Sequence, residues 1–210
     1  MPALNALRVP DGLDLRIAAL TEPLSVGLHA VRLAGSLLGA RVLVIGAGPI
    51  GIAVTTFAHA AGARDLIVSE IDPVRRKRAE TFGATATLDP NDGTIPAPAP
   101  DVVFECVGAP GLLRQCVDLA PLRGRVVVVG VCRHEDAFLP RVALRKELTL
   151  QFALGYTRHE FDVVLDMLAN RRIDAAPLVS DVIDLDSVPA MFESLRRPNH
   201  HAKVLIDPRQ

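Results

Sequence analysis

The 210-residue chain has almost no excess of either charge: 23 Lys and Arg against 24 Asp and Glu leave a net charge of −1. That removes the usual case for nucleic acid or an anionic membrane surface as partner, since either calls for a basic patch or tail. No apolar run approaches the roughly 20 residues that a membrane-crossing helix needs. The first residues lack the basic and apolar regions of a secretory leader, so the expectation is a cytoplasmic protein. Cysteine is scarce and odd in number. Cys106, Cys116 and Cys132 form no C-x-x-C pair, which argues for reduced thiols, with Cys106 and Cys116 as small core residues. Low-complexity tracts and repeats of solenoid period are also missing. What is there is a chain half apolar, enough to bury a core of good size in one globular unit.

The stretch that organises the rest is residues 41–70, RVLVIGAGPIGIAVTTFAHAAGARDLIVSE. Val42-Leu43-Val44-Ile45 is too short for a helix and rich in β-branched residues, as a buried parallel strand would be. Gly46, Gly48 and Gly51 follow with the spacing G-x-G-x-x-G, then a small-residue helix over 50–61 and a second strand over 65–71. Each glycine has a mechanical reason. Gly46 allows the tight turn off the strand, Gly48 lets a pyrophosphate approach the backbone, and Gly51 lets the helix pack closely on the sheet. The helix N-terminus then offers free N–H groups and a positive dipole end to phosphates. Glu70 stands about 20 residues beyond, where an acid accepts hydrogen bonds from the adenosine ribose hydroxyls. The glycine motif alone is weak, and a plain β-turn-α connection is its bland alternative. Strand, helix and acid agreeing with it point to a dinucleotide. A carboxylate repels a 2′-phosphate and no Arg directly follows Glu70, which favours NAD over NADP; Arg75, five residues on, can flank the ribose and tempers that preference.

Taken in order, residues 1–19 carry Pro2, Pro10 and Gly12 without a clean period and are expected to be an irregular lead-in. Residues 21–34 predict a helix with Thr21 as its cap, Glu22 at its positive end and Gly35 as its stop. Residues 73–82 predict a helix with one very basic face, mostly solvated, of which only Arg75 is near enough to reach a cofactor. Residues 84–88 predict a third strand. The proline-rich 91–100 can only be a loop. DVVFEC (101–106) and GRVVVVG (124–130) predict buried strands whose ends reach the carboxyl edge, where an open parallel sheet binds its ligand. A sixth strand is expected over 147–152, helices over 161–169 and 187–195, and a closing strand over 202–206. Strands alternating with helices mean an α/β protein with a mostly parallel, doubly wound sheet and right-handed crossovers.

The segments TEPLSVGLHAV, VLVIGAGPIG, VSEIDPVRRKRAETFGA, DVVFECVG, GRVVVVG, KELTLQ, LGYTRHEF and KVLIDP together resemble the zinc-dependent medium-chain dehydrogenase/reductase family. The nearest branch is the polyol, threonine and butanediol dehydrogenases. The resemblance runs along nearly the whole chain in the family's order. It implies a three-layer α/β/α Rossmann domain of strand order 3-2-1-4-5-6, hydride transfer between NAD and a secondary alcohol, and usually dimers or tetramers. Residue by residue, it implies a pyrophosphate loop at Gly46, Gly48, Pro49, Ile50 and Gly51 and adenosine-ribose contacts at Glu70 and Arg75. Cys106, Val107 and Gly108 would end the fourth strand beside the cofactor. Val129, Gly130 and Val131 would line the nicotinamide, Val26 would face the nicotinamide ring, and Lys203 would reach the cofactor phosphates. Glu22 matches a carboxylate near the family's catalytic zinc, or is simply an acid at a helix N-terminus. Domain by domain, residues 1–20 would be a remnant of the boundary with a catalytic domain and 21–195 the NAD-binding domain. Residues 196–210 would be a closing strand and tail that in the family returns to the catalytic domain.

The family's catalytic domain, with its Cys ligand, G-H-E motif, proton relay and four-cysteine lobe, has no counterpart in these residues. The six histidines do not rebuild a zinc site, since His29 and His59 fall on separate helices, His134 and His159 in loops, and His200 and His201 side by side. Zinc needs about three protein ligands plus water for alcohol oxidation, and only Glu22 is offered. Zinc is therefore not expected to be held by this chain, and no catalytic residue is assigned. The closing strand is expected to lack the catalytic domain into which it packs in the family, leaving an exposed apolar edge that invites association. The first expectation is the NAD-binding half of a zinc-type alcohol dehydrogenase, shortened and inactive alone. Two others stand beside it: half of an enzyme whose catalytic domain is supplied by a partner chain, and a non-catalytic NAD(H)-responsive regulatory module; a homodimer is the other assembly expected. Methyltransferases share a glycine loop and an acid but not the later motifs, and Glu70 with Glu22-Pro23-Leu24 argues against an NADPH-dependent quinone reductase.

Overall fold

The structure is a computed structural model that describes residues 6–93, 97–196 and 199–209. Six parallel strands form one sheet in the order β3-β2-β1-β4-β5-β6, the expected doubly wound order. They are β1 (Arg41–Ile45), β2 (Asp65–Ser69), β3 (Ala86–Leu88), β4 (Val102–Glu105), β5 (Arg125–Val128) and β6 (Thr149–Phe152). β1 is central, pairing in register with β2 (Val42 with Leu66) and with β4 (Val42 with Val102). Successive side chains of a strand face opposite ways, and the packing follows that period. Val42 and Val44 join Val102, Phe104 and Val127 in the larger core layer, while Leu43 and Ile45 join Val103, Val126, Cys116 and Ala120 in the smaller one.

Helices cover both faces. α2 (Thr21–Leu33), α3 (Pro49–Ala60), α4 (Pro73–Thr81) and α7 (Arg158–Ala169) supply the larger layer, and α5 (Leu112–Leu119) covers the other. α2 lies close against α3 because Gly27 has no side chain: a Cβ there would come within 2.5 Å of the Ala53 Cβ. α4 starts where Asp72 accepts the amides of Val74 and Arg75 and Pro73 presets the first turn. α7 starts from a capping box in which Thr157 and Glu160 satisfy each other's amides.

Several expectations are corrected. Residues 1–19 are not wholly irregular, since Asp14 accepts from the Arg16 amide and opens a short helix, α1 (Leu15–Ala18). Thr21 does not cap α2. The helix begins after Leu20, and the Thr21 hydroxyl donates instead to the Ala18 carbonyl, 2.7 Å away. A six-residue helix, α6 (Pro140–Arg145), and a strand, β7 (Val179–Ile183), were not foreseen. His159 lies in α7 rather than in a loop. Helix α8 (Val188–Leu195) forms as expected. The closing strand β8 (Lys203–Ile206) pairs in parallel with β7 in a second, two-stranded sheet. Of the proline-rich loop, residues 94–96 lie outside the described residues; Pro90–Asp92 just before them form one 3-10 turn. Among the described residues no helix is long and apolar enough to cross a membrane.

Candidate functional site

At the carboxyl edge of the sheet, β2 carries the chain to one side of β1 and β4 carries it to the other. That reversal opens a crevice outside the strand ends. A cleft of about 390 Å³ lies there. Ile45, Gly46 and Gly48 form its floor, Ser69, Glu70, Ile71 and Arg75 one wall, and Cys106, Val107, Leu112 and Gln115 the other, with Pro90 at the rim.

The glycine loop has the geometry its spacing predicts. Gly46 turns at a φ of 96°, in the left-handed region, and a Cβ on it would stand 2.6 Å from the Val107 side chain. A Cβ on Gly51 would overlap the Gly46 carbonyl oxygen, so the start of α3 sits directly on the turn. Gly48 is different: a Cβ there would meet nothing within 4 Å and would project into open space at the cleft floor. Gly48 is also the N-cap of α3 and makes no side-chain cap. The first-turn amides and the positive end of the helix dipole are thus offered to a ligand, and an anionic oxygen suits them.

Glu70 is buried, 7% exposed, at the mouth of β2. Its Oε2 accepts the Ala47 amide at 2.8 Å and its Oε1 accepts the Asp72 amide at 3.0 Å. The acid therefore braces the glycine loop from the neighbouring strand, and it lines the cleft. Arg75 points its Nη2 at the Asn199 carbonyl, 3.1 Å away, while its buried Nε has no partner among the described residues. Arg76 is spent on structure, donating to the Glu70 and Ile71 carbonyls and to Asp89. Across the cleft, Cys106 is half-buried in the wall. Desolvation first, and the Glu105 charge second, push its thiol well above the usual range, and burial likewise pushes Cys116 up to about 12. These thiols are packing groups, as their setting in apolar strands and helices implied.

The predicted residues do not all meet. Gly46, Gly48, Glu70, Arg75, Cys106 and Val107 line the cleft. Pro49, Ile50 and Gly51 form the first turn of α3 behind it. Gly108, Val129, Gly130 and Val131 cluster at the ends of β4 and β5, where a Cβ on Gly108 would come within 2.6 Å of the Val131 backbone. Val26 is half-buried on α2 against the larger core, and Lys203 begins β8 opposite Val179; neither lines the cleft. Reasoning from the sequence missed Ser69, Ile71, Pro90, Leu112 and Gln115, which the crossovers bring to the rim. It also missed Glu105, whose only signal was an acid in an otherwise apolar strand.

No three His, Cys, Asp or Glu side chains among the described residues come together in a way that could hold a metal. Glu22 is exposed in the first turn of α2. It stands near Tyr156, whose phenol is pushed up by burial first and by the Glu22 charge second. These donors do not fit a zinc ion.

Residues 49–170 match the family model described as zinc-binding dehydrogenase. The chain is 33% identical over 210 residues to (R,R)-butanediol dehydrogenase of Bacillus subtilis, covering 96% of this chain and 60% of that protein. It is 30% identical over 215 residues to D-xylulose reductase of Saccharomyces cerevisiae, covering 95% and 60%. A crystal structure of a Sinorhizobium meliloti protein bound to NADP superposes with a TM-score of 0.89 at 31% identity, covering 96% of this chain and 62% of that one. The chain thus spans about 60% of the length of the relatives it matches. With the model covering more than half of its residues, the chain belongs to the zinc-binding dehydrogenase family.

Proposed function

We propose that this chain binds NAD(H) as the cofactor half of an alcohol or polyol dehydrogenase. The observation that carries the proposal is the meeting of Glu70 with the glycine loop. A buried carboxylate holds the Ala47 amide beside the open floor at Gly48, under the N-terminus of α3. The pyrophosphate would rest on that floor, and the adenosine ribose hydroxyls would donate to Glu70. A bound nicotinamide would supply hydride transfer to or from an alcohol carbon. The residues of this chain bind and orient the dinucleotide, and the apolar wall of Cys106, Val107 and Leu112 keeps water from its underside. The described donors do not fit zinc, so the activation of the alcohol is not assigned to any of them. Three free thiols suit a cytoplasmic setting.

Arg75 supports a second reading of the cofactor. It lines the same cleft, where a guanidinium can meet a 2′-phosphate, and one relative was solved with NADP. A fluorescence titration of the purified chain with NADH beside NADPH decides between them. Tighter NADH binding, lost in Gly48→Val, is the expected result. Equal or tighter NADPH binding would move the assignment to the phosphorylated cofactor. Absence of binding to the folded chain would refute a cofactor site that works without further parts of the protein.

A further inference from the structure

Both strands that flank β1 finish in a buried acid. Glu70 follows β2 at 7% exposed and Glu105 ends β4 at 2% exposed. A carboxylate is costly to bury unless hydrogen bonds replace its water, so the partners show what the burial is for. Glu105 Oε1 accepts the amides of Val107 at 2.7 Å and Gly108 at 2.8 Å. Its Oε2 lies against the next strand: a Cβ on Gly130 would stand 2.5 Å from it. The Glu105 carbonyl meanwhile accepts the amides of Val129 at 2.8 Å and Gly130 at 2.9 Å. One residue ties the exits of β4 and β5 together, through its side chain on one and its main chain on the other.

That knot is part of the cleft. Val107 is 51% exposed, lines the cleft wall and rests against Gly46 of the glycine loop. In a sheet of this order the second mononucleotide half lies over the strands on the β4 side, away from Glu70. We propose that Glu105 is a positioning residue for the nicotinamide half of the dinucleotide, fixing the backbone of 106–108 and 129–131 on which that half rests. The inference rests on the NAD(H) reading above. It assigns the two buried acids to the two halves of one ligand, Glu70 to the adenosine end and Glu105 to the nicotinamide end.

The test compares two ligands on three proteins. NADH and ADP-ribose are titrated calorimetrically against the wild-type chain, Glu105→Met, which keeps volume but no acceptor, and Glu105→Gln, which keeps an acceptor oxygen. Loss of charge-assisted hydrogen bonds to two amides predicts that Glu105→Met weakens NADH by about tenfold or more. ADP-ribose, which lacks the nicotinamide, should bind all three alike, and Glu105→Gln should recover most of the NADH affinity. A purely structural Glu105 would weaken both ligands in parallel or neither, and either result overturns the proposal. Should Glu105→Met not fold, Glu105→Asp, which keeps the charge but shortens the reach to the Val107 and Gly108 amides, takes its place, and the same selective loss of NADH is required. Wild-type protein that binds neither ligand refutes the dinucleotide reading, and this inference falls with it; wild-type binding of both without selective loss refutes Glu105 alone.

Discussion

Gly51 has no room for a side chain, because a Cβ there would overlap the carbonyl oxygen of Gly46 across the turn from β1 into α3. Neither atom can yield cheaply, since both belong to the backbone that joins β1 to α3. Gly51→Ala is therefore expected to lower stability by about 3 kcal/mol, the upper range of overpacking, read as a fall in the urea midpoint with an unchanged slope. Gly48→Val adds more bulk yet projects into the open cleft, so it should cost binding while leaving stability within about 1 kcal/mol. The cysteines separate on a different principle. A thiol reacts as its thiolate, and burial holds Cys106 and Cys116 in the thiol form. Cys132 is half-buried in the loop after β5, its Sγ facing the His134 carbonyl at 3.4 Å. Alkylation of the native chain at pH 8 followed by peptide mass analysis should mark Cys132 first, and all three equally fast once the chain is unfolded in urea.

Elements are held together at the α2–α7 contact by a polar clasp. Glu160 is 3% exposed. It closes the capping box with Thr157, takes His29 Nδ1 at 3.0 Å and has Arg32 Nη1 at 3.5 Å. Burial pushes its carboxyl up, but the Thr157 amide and hydroxyl and His29 outweigh that and hold it below its usual value of 4.5. A depressed carboxyl contributes stability above its unfolded value, and that contribution disappears as pH falls through the folded one. Glu160→Gln should thus cost about 2 kcal/mol near pH 7, with the gap between variant and wild type closing as pH drops below 4.5. Thermal melts of both proteins across pH 3 to 7 read that convergence directly. The T-x-x-E signature of this clasp stands in the sequence, yet the helix was expected only from Phe161, because its apolar period starts there and the cap carries none. Elements with weak or short periods were the ones not legible. Ser180 and Asp181 interrupt the apolar alternation of β7, and α6 is six residues long behind a proline. β1, β4 and β5 were plain because strands buried on both faces read as unbroken apolar runs. Of the cleft, Gly46, Gly48, Glu70 and Arg75 could be read from one contiguous stretch, and Cys106 and Val107 from the end of an apolar strand; Pro90, Leu112 and Gln115 arrive from separate crossovers that no local pattern joins.

For the molecule as a whole, the position of the cleft decides how binding couples to folding. Its walls come from the ends of β1 and β2, the β4–α5 connection and the start of α5, so a ligand there touches both halves of a single six-stranded sheet. No strand neighbouring β1 can leave the sheet without dismantling the site, and the unfolded chain cannot reassemble it. A ligand that binds only the folded form adds about 2.7 kcal/mol at a hundredfold excess over its dissociation constant. For a chain of 210 residues that converts to a rise in melting temperature of about 5 to 10 °C. Differential scanning calorimetry with saturating NADH should show that rise as one transition moved intact, and Gly48→Val, folded but with its cleft floor filled, should show none. A melt that splits into two steps, only one of them raised by NADH, would mean that the halves of the sheet unfold separately. The ligand would then be held by the β1–β2 side alone, and the wall that Glu105 organises would contribute nothing to its binding.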